Sequence, residues 1–139
     1  MFSVDLTTSE HDGLTVAVLR GELDVTDAAG VAAELCVVAS GGRVVIADLA
    51  GLTYIDSSGL AALAHVHRHA RRGGGDLLLA APQPRVLRIL AITRLTDVFS
   101  VHAGLDEAAR SAGAPQAAAL APAHPGRPRW HDPQSVPAL

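Results

Sequence analysis

The fold is decided by residues 43–60, which read RVVIADLAGLTYIDSSGL. The part from Arg43 to Leu49 is a nearly continuous run of β-branched and other apolar residues. Such a run is typical of a strand that is covered on both faces, which means a central position in a sheet. We expect this strand to end there, the chain to turn, and a helix to begin at Ser57 or Ser58 and reach about Arg72.

Two apolar segments precede this stretch and predict an N-terminal hairpin. Phe2 to Thr8 alternates weakly and Leu14 to Leu19 strongly, with Asp12-Gly13 between them as the turn. After the hairpin, Asp27 is predicted to cap a helix from about Ala28 to Val38.

The chain beyond the Ser57 helix repeats the alternation of strands and helices. The predicted elements are a strand at 77–80, a helix that begins at Pro84 and carries Val86, Leu87, Leu90 and Ile92, a strand at 98–101 and a helix at 105–112. The order β-β-α-β-α-β-α-β-α predicts an α/β fold. Its sheet should be mixed, mostly parallel with an N-terminal hairpin, and packed against about four helices.

Composition indicates one globular domain over residues 1–112. The chain has 139 residues, of which 49% are hydrophobic and 18% charged, so a single core is easily supplied. The net charge is −3 and no basic stripe appears, so nucleic acid is not an expected partner. All 11 basic residues are arginine, which excludes mechanisms that need a lysine.

The remaining segments predict a cytoplasmic protein with a C-terminal tail. Residues 113–139 are rich in proline and alanine and are predicted to be disordered. The N-terminus does not read as a secretory signal, and no apolar run is long enough to insert into a membrane. The one cysteine, Cys36, cannot form an internal disulfide, which suits a reducing compartment.

The junction at Asp56-Ser57-Ser58-Gly59 is the most informative candidate site. An acid and two hydroxyls at a helix start can be explained by capping alone. However, junctions beyond the carboxyl ends of strands are also where α/β proteins usually bind ligands and partners. The tetrapeptide by itself leaves both interpretations open.

Three longer strings resemble the STAS family, the anti-sigma factor antagonists. They are Gly21-Glu22-Leu23-Asp24, residues 44–49 and residues 54–60, and the similarity continues in order from about residue 3 to residue 112. The chain departs from the family pattern at Ala61 and Arg94, which stand where glycines are usual, and at Asp27, which replaces a threonine.

The resemblance implies a partner-switching protein with no enzymatic activity and no cofactor. It implies that Ser57, with Ser58 as the second candidate, is phosphorylated by a cognate anti-sigma factor that is itself a serine kinase. Phosphorylation would release the complex, and a serine phosphatase would reset it. By the same resemblance the partner would contact a short set of residues: Asp24, Asp56, Ser57, Ser58 and Gly59.

Other readings of the same residues remain as alternatives. Some STAS domains are non-phosphorylated scaffolds or small subunits of stress-signalling, transport or lipid-trafficking complexes. A serine hydrolase would need His102 or His11 near Ser57, and no Gly-x-Ser-x-Gly motif supports it. The histidines at 65, 67 and 69 lack an identifiable third ligand on one face, so we expect a solvated helix surface and no metal.

Overall fold

Five strands form one mixed sheet in the computed structural model, which describes residues 4–11 and 14–113. In chain order and in sheet order, the strands are β1 (Val4–His11), β2 (Leu14–Leu23), β3 (Val44–Ile55), β4 (Asp76–Ala80) and β5 (Ser100–His102). β1 and β2 are antiparallel and the other neighbours are parallel, as predicted. The predicted Asp12-Gly13 turn and the tail after Gly113 lie outside the described residues.

Within the described residues, four helices cover the sheet: α1 (Val25–Val38), α2 (Ser57–Arg72), α3 (Pro84–Ile92) and α4 (Leu105–Gly113). The first three bury their apolar faces against one side of the sheet, in the cluster that contains Val45 and Ala47. On the other side, Ala108 of α4 packs in the cluster of Ile46. Since Val45, Ile46 and Ala47 are all fully buried, β3 is covered on both faces, and its predicted central position is confirmed.

β3 is longer than predicted, because it does not end at Leu49 but continues to Ile55. Gly51 does not turn the chain away. The pairing with β2 instead shifts register twice along this segment, as in a β-bulge. Leu52 and Ile55 stay buried in the core beyond the shifts, which keeps the segment in the sheet. Gly51 makes room for Arg20, whose Cγ would lie 2.8 Å from an added Cβ.

α3 begins at Pro84 as predicted, but its last residue does not pack. Val86, Leu87 and Leu90 are buried, whereas Ile92 is 72% exposed. Ile92 ends the helix just before the chain reverses at Arg94, which has a left-handed φ of 66°. At this exposed end of the helix, the side chain of Ile92 therefore does not pack against the core.

The final strand starts two residues later than predicted, at Ser100 and not at Val98. A 3-10 turn over Leu95–Asp97 precedes the strand, and the N–H of Phe99 donates to the carbonyl of Leu95 at 2.9 Å. The ring of Phe99 is fully buried while Val98 is exposed. The turn thus brings the aromatic ring into the core and delays the strand.

Candidate functional site

The carboxyl-terminal ends of β2 and β3 lie side by side, and each is followed directly by a helix. Leu23 pairs with Ile55 in the last position of the register. The backbone N–H of Asp56 also donates to the carbonyl of Leu23, at 3.3 Å. The starts of α1 and α2 are therefore neighbours. We call this region the Ser57 edge; its defining residues, which the sequence predicted as partner contacts, are Asp24, Asp56, Ser57, Ser58 and Gly59.

Asp56 is the N-cap of α2, and this fixes its carboxylate next to Ser57. Its backbone is extended, and Oδ1 accepts a hydrogen bond from the N–H of Gly59 at 2.9 Å. The side chain is half-buried. Because such a cap satisfies a helix N–H that would otherwise be unpaired, Asp56 stabilises the local structure and contributes negative charge to the edge.

Ser57 and Ser58 are the first two residues of α2 and differ in exposure. Ser57 is exposed, whereas Ser58 is half-buried. The first turn of a helix also carries free N–H groups and the positive end of the helix dipole. Of the two hydroxyls, that of Ser57 is the more accessible to another protein.

Gly59 is buried, and the structure gives a packing reason for its lack of a side chain. An added Cβ would lie 2.7 Å from both the carbonyl oxygen of Leu23 and Cγ1 of Ile55. Real Cβ atoms essentially never come closer than 3.0 Å, so only glycine allows α2 to pack this tightly on the strand ends. The role of Gly59 in partner contact stays a prediction.

Asp24 directly follows the last residue of β2 and is the N-cap of α1. Its Oδ1 accepts a hydrogen bond from the N–H of Thr26 at 3.0 Å, and its side chain is half-buried. Asp27, which the sequence predicted as the cap, lies inside the first turn. Its buried Oδ2 has no hydrogen-bond partner among the described residues. The helix therefore starts three residues earlier than expected.

Asp24 can be tested by separating its capping oxygen from its charge. Asp24→Ala is expected to lower the free energy of unfolding by about 1 kcal/mol, because the Thr26 N–H loses its acceptor. Asp24→Asn keeps an acceptor oxygen at the same place and should unfold close to the wild type. Thermal denaturation of the two variants checks this. Equal losses of stability in both would show that the charge, and not the cap, is what the fold uses.

Two exposed apolar side chains and an acid at this edge were not singled out from the sequence. Val25 is 71% exposed and Tyr54 is 43% exposed, and Glu22, the partner of Tyr54 in the register, is also exposed. With Asp27 as the predicted cap, Val25 lies in a predicted loop, and Tyr54 lies in the predicted turn. The available signal was the spacing of Asp24 and Asp27, which resembles a capping box.

The three histidines of α2 do not form one solvated surface. Of the three, only His65 is exposed. His67 packs edge-on against Phe99, with ring centroids 5.2 Å apart, and its Nε2 lies 3.5 Å from Oδ1 of Asp76. Burial lowers the pKa of His67, and the carboxylate of Asp76 offsets part of this. The expectation of a solvated face is thus wrong for His67. The described residues contain no group of three metal-ligating side chains.

The histidines required for a serine hydrolase are held elsewhere. His102 is 2% exposed, with Nε2 3.0 Å from Oγ of Ser100 and Nδ1 3.9 Å from Glu107. His11 pairs with Leu14, the first residue of β2, whereas Ser57 lies two residues after the last residue of β3. The two lie at opposite ends of the sheet. Among the described residues, the predicted partner contacts therefore lie close together, whereas His11 and Ser57 do not.

None of the helices in the described part of the chain is both long and apolar enough to cross a membrane.

Comparisons with known proteins agree with the resemblance seen in the sequence. The sequence model of the STAS domain matches residues 5–108. BtrV of Bordetella bronchiseptica, named as a candidate anti-sigma factor antagonist, is 35% identical over 105 residues, covering 75% of this chain and 90% of that protein.

Two solved structures illustrate the shared fold. An anti-sigma factor antagonist from Mycobacterium paratuberculosis matches with a TM-score of 0.72 and 24% identity, over 79% of this chain and 94% of that one. The phosphorylated form of the Bacillus cell fate determinant SpoIIAA matches with a TM-score of 0.58 and 21% identity, over 79% of this chain and 97% of that one.

Proposed function

Because the chain belongs to the STAS domain family, we propose that it is an anti-sigma factor antagonist that acts by partner switching. The unphosphorylated chain binds a cognate anti-sigma factor, itself a serine kinase, and so frees a sigma factor. The kinase phosphorylates Ser57, the complex dissociates, and a serine phosphatase restores the starting form. Support comes from the names of a relative and a fold neighbour, and from the phosphorylated form of a second neighbour.

The observation that carries this proposal is an exposed hydroxyl next to a fixed carboxylate. Ser57 is exposed at the first position of α2, and the cap holds the Asp56 side chain beside it. A kinase can reach such a hydroxyl without unfolding the domain. A phosphate attached there remains in the surface that the partner covers.

The charge on that phosphate supplies the energy of release. It adds about −1.5 to −2 at neutral pH, next to the carboxylate of Asp56. A contact surface that fits a neutral hydroxyl must then desolvate this charge without a counterion. Leaving a charge unpaired in an interface costs about 2–5 kcal/mol, which corresponds to roughly 1.5 to 3.5 orders of magnitude in affinity.

The domain itself should tolerate the phosphate. Free N–H groups and the positive end of the α2 dipole favour an anion at this position. The destabilisation therefore falls on the complex and not on the fold. No rearrangement of the sheet is needed for the switch to work.

A kinase assay tests the proposal at the level of single hydroxyls. The anti-sigma factor is captured from the cells of origin, purified and incubated with ATP and the full chain. We expect one phosphate on the wild type and on Ser58→Ala, and none on Ser57→Ala, as measured by intact-mass and peptide mass spectrometry. The two alanine variants are matched because they remove adjacent hydroxyls of the same helix turn.

Two outcomes would contradict it. Phosphate on Ser57→Ala would assign the switch to another residue. Protein purified from native cells that carries no phosphate on either serine, under growth and stress alike, would favour the non-phosphorylated scaffold.

A further inference from the structure

We infer that Val25 and Tyr54 are the apolar anchors by which the anti-sigma factor holds the Ser57 edge, an inference that rests on the proposed function. The anchors lie next to the two caps: Val25 follows Asp24, and Tyr54 is two residues before Asp56. The partner surface that fits them is apolar at its centre and basic around it.

Both side chains expose more apolar surface than their positions in the fold require. Val25 is the first residue of α1 and 71% exposed, and Tyr54 lies near the end of β3 and is 43% exposed. A polar residue would serve equally well at a helix start. Isolated exposed apolar residues are ordinary, but these two flank one hydrogen-bonded contact, between Asp56 N–H and the Leu23 carbonyl.

Contact energy in protein interfaces is concentrated in a few buried side chains of this kind. Tyrosine is among the residues most enriched at such positions, because it buries a large rigid ring and keeps a hydroxyl for a hydrogen bond. The branched side chain of Val25 adds a compact apolar contact with little loss of rotamer freedom.

Charge complementarity identifies the chemistry of the partner surface. Glu22 pairs with Tyr54 in the register and is exposed, and Asp24 and Asp56 carry the two cap carboxylates. Exposed apolar side chains with these acids beside them are best matched by apolar side chains with arginine or lysine next to them. A second copy of this chain would bring the same acids against one another, so it does not fit.

The anchors also explain how one phosphate can open the complex. A partner that covers Val25, Tyr54 and Ser57 together excludes water from the space around Ser57. A charge in that space is poorly screened, and its repulsion by Asp56 is stronger than it would be in water. The apolar contacts thus increase the loss of affinity that phosphorylation of Ser57 causes.

Two valines of the same helix provide a matched test. Val25 and Val37 are both 71% exposed and lie at opposite ends of α1. Binding of the purified anti-sigma factor to full-length Val25→Thr, Val37→Thr and Tyr54→Ala is measured by calorimetry, with melting temperatures recorded alongside. We expect Val25→Thr and Tyr54→Ala each to weaken binding by about five- to thirtyfold and Val37→Thr to bind like the wild type.

The acids are tested in the same assay by association rates. Glu22→Gln is expected to slow association at low salt. Glu34→Gln, which changes an exposed acid in the C-terminal half of α1, is its control. Wild-type affinity of Val25→Thr and Tyr54→Ala would overturn the anchors while leaving the proposed function intact. If the wild-type chain binds no anti-sigma factor, both the function and the anchors are overturned.

Discussion

Ser57→Asp is expected to weaken binding of the anti-sigma factor by about tenfold or more, while Ser57→Asn stays close to Ser57→Ala. Aspartate and asparagine have nearly the same shape, so the difference between them is a single charge. That charge lies beside the carboxylate of Asp56, which the N–H of Gly59 holds in place. Full phosphorylation adds more charge and should reach the range of about 2–5 kcal/mol, roughly thirty- to several-thousandfold.

The neutral variants define the baseline for this measurement. Ser57→Ala removes a hydroxyl that can form one hydrogen bond in the complex, a loss of about 0.5–1.5 kcal/mol. All three variants should keep the wild-type melting temperature, because position 57 is exposed and its side chain makes no cap hydrogen bond in the described structure. Calorimetry that gives Ser57→Asp and Ser57→Asn the same affinity would remove charge as the basis of release.

The sequence predicted the elements whose determinants are local. The helix α2 is one of these: Leu60, Leu63 and Val66 recur at helical spacing and are all buried, and the acid and serines before them set its start. Pro84 at the first position of α3 is another. In each case the deciding residues lie within one or two turns of one another.

The element boundaries that could not be predicted from the sequence depend on contacts between distant segments. A glycine at position 51 predicts a turn when only its neighbours are considered, but pairing with β2 keeps it in a strand. Asp24 and Asp27 both satisfy the local rule for a helix cap. In the structure the cap is Asp24. It follows Leu23, whose carbonyl accepts a hydrogen bond from the N–H of Asp56, a residue more than thirty positions further along the chain.

The structure brings the residues of the candidate site together at one edge of the sheet. Parallel neighbouring strands end at the same edge of a sheet, so the predicted order of elements already places Asp24 near Ser57. What the order of elements cannot give is the exposure of individual side chains. Val25 lies in a predicted loop and Tyr54 in the predicted turn, and only the structure shows how far their apolar side chains are exposed.

Gly75→Ala is expected to destabilise the domain more than any other single methyl group at a described glycine. Gly75 is buried after the end of α2, and an added Cβ would overlap the carbonyl oxygen of Arg43 and lie 2.9 Å from the backbone carbon of Gly42. Both are backbone atoms, so no side-chain rotation can relieve the overlap.

The strain would spread into the sheet, because the Arg43 carbonyl also accepts the N–H of Asp76 at 3.3 Å, just where β3 and β4 begin to pair. Overpacking in a fixed site costs about 1–3 kcal/mol and occasionally more. We expect about 3 kcal/mol or more here, a fall in melting temperature of roughly 12 °C or more at about 4 °C per kcal/mol.

Gly73→Ala is the matched control for this change. Gly73 lies in the same turn, has an ordinary φ of −87°, and offers an added Cβ no atom closer than 3.7 Å. Its replacement should leave stability within about 0.5 kcal/mol, since alanine adopts that conformation without strain and reduces the freedom of the unfolded chain. Thermal and urea unfolding followed by circular dichroism compare the two. Similar melting temperatures for both alanine variants would mean that the backbone at the junction of α2 with β3 and β4 adjusts at little cost. Tight backbone packing at Gly75 would then not be what holds the strands in register.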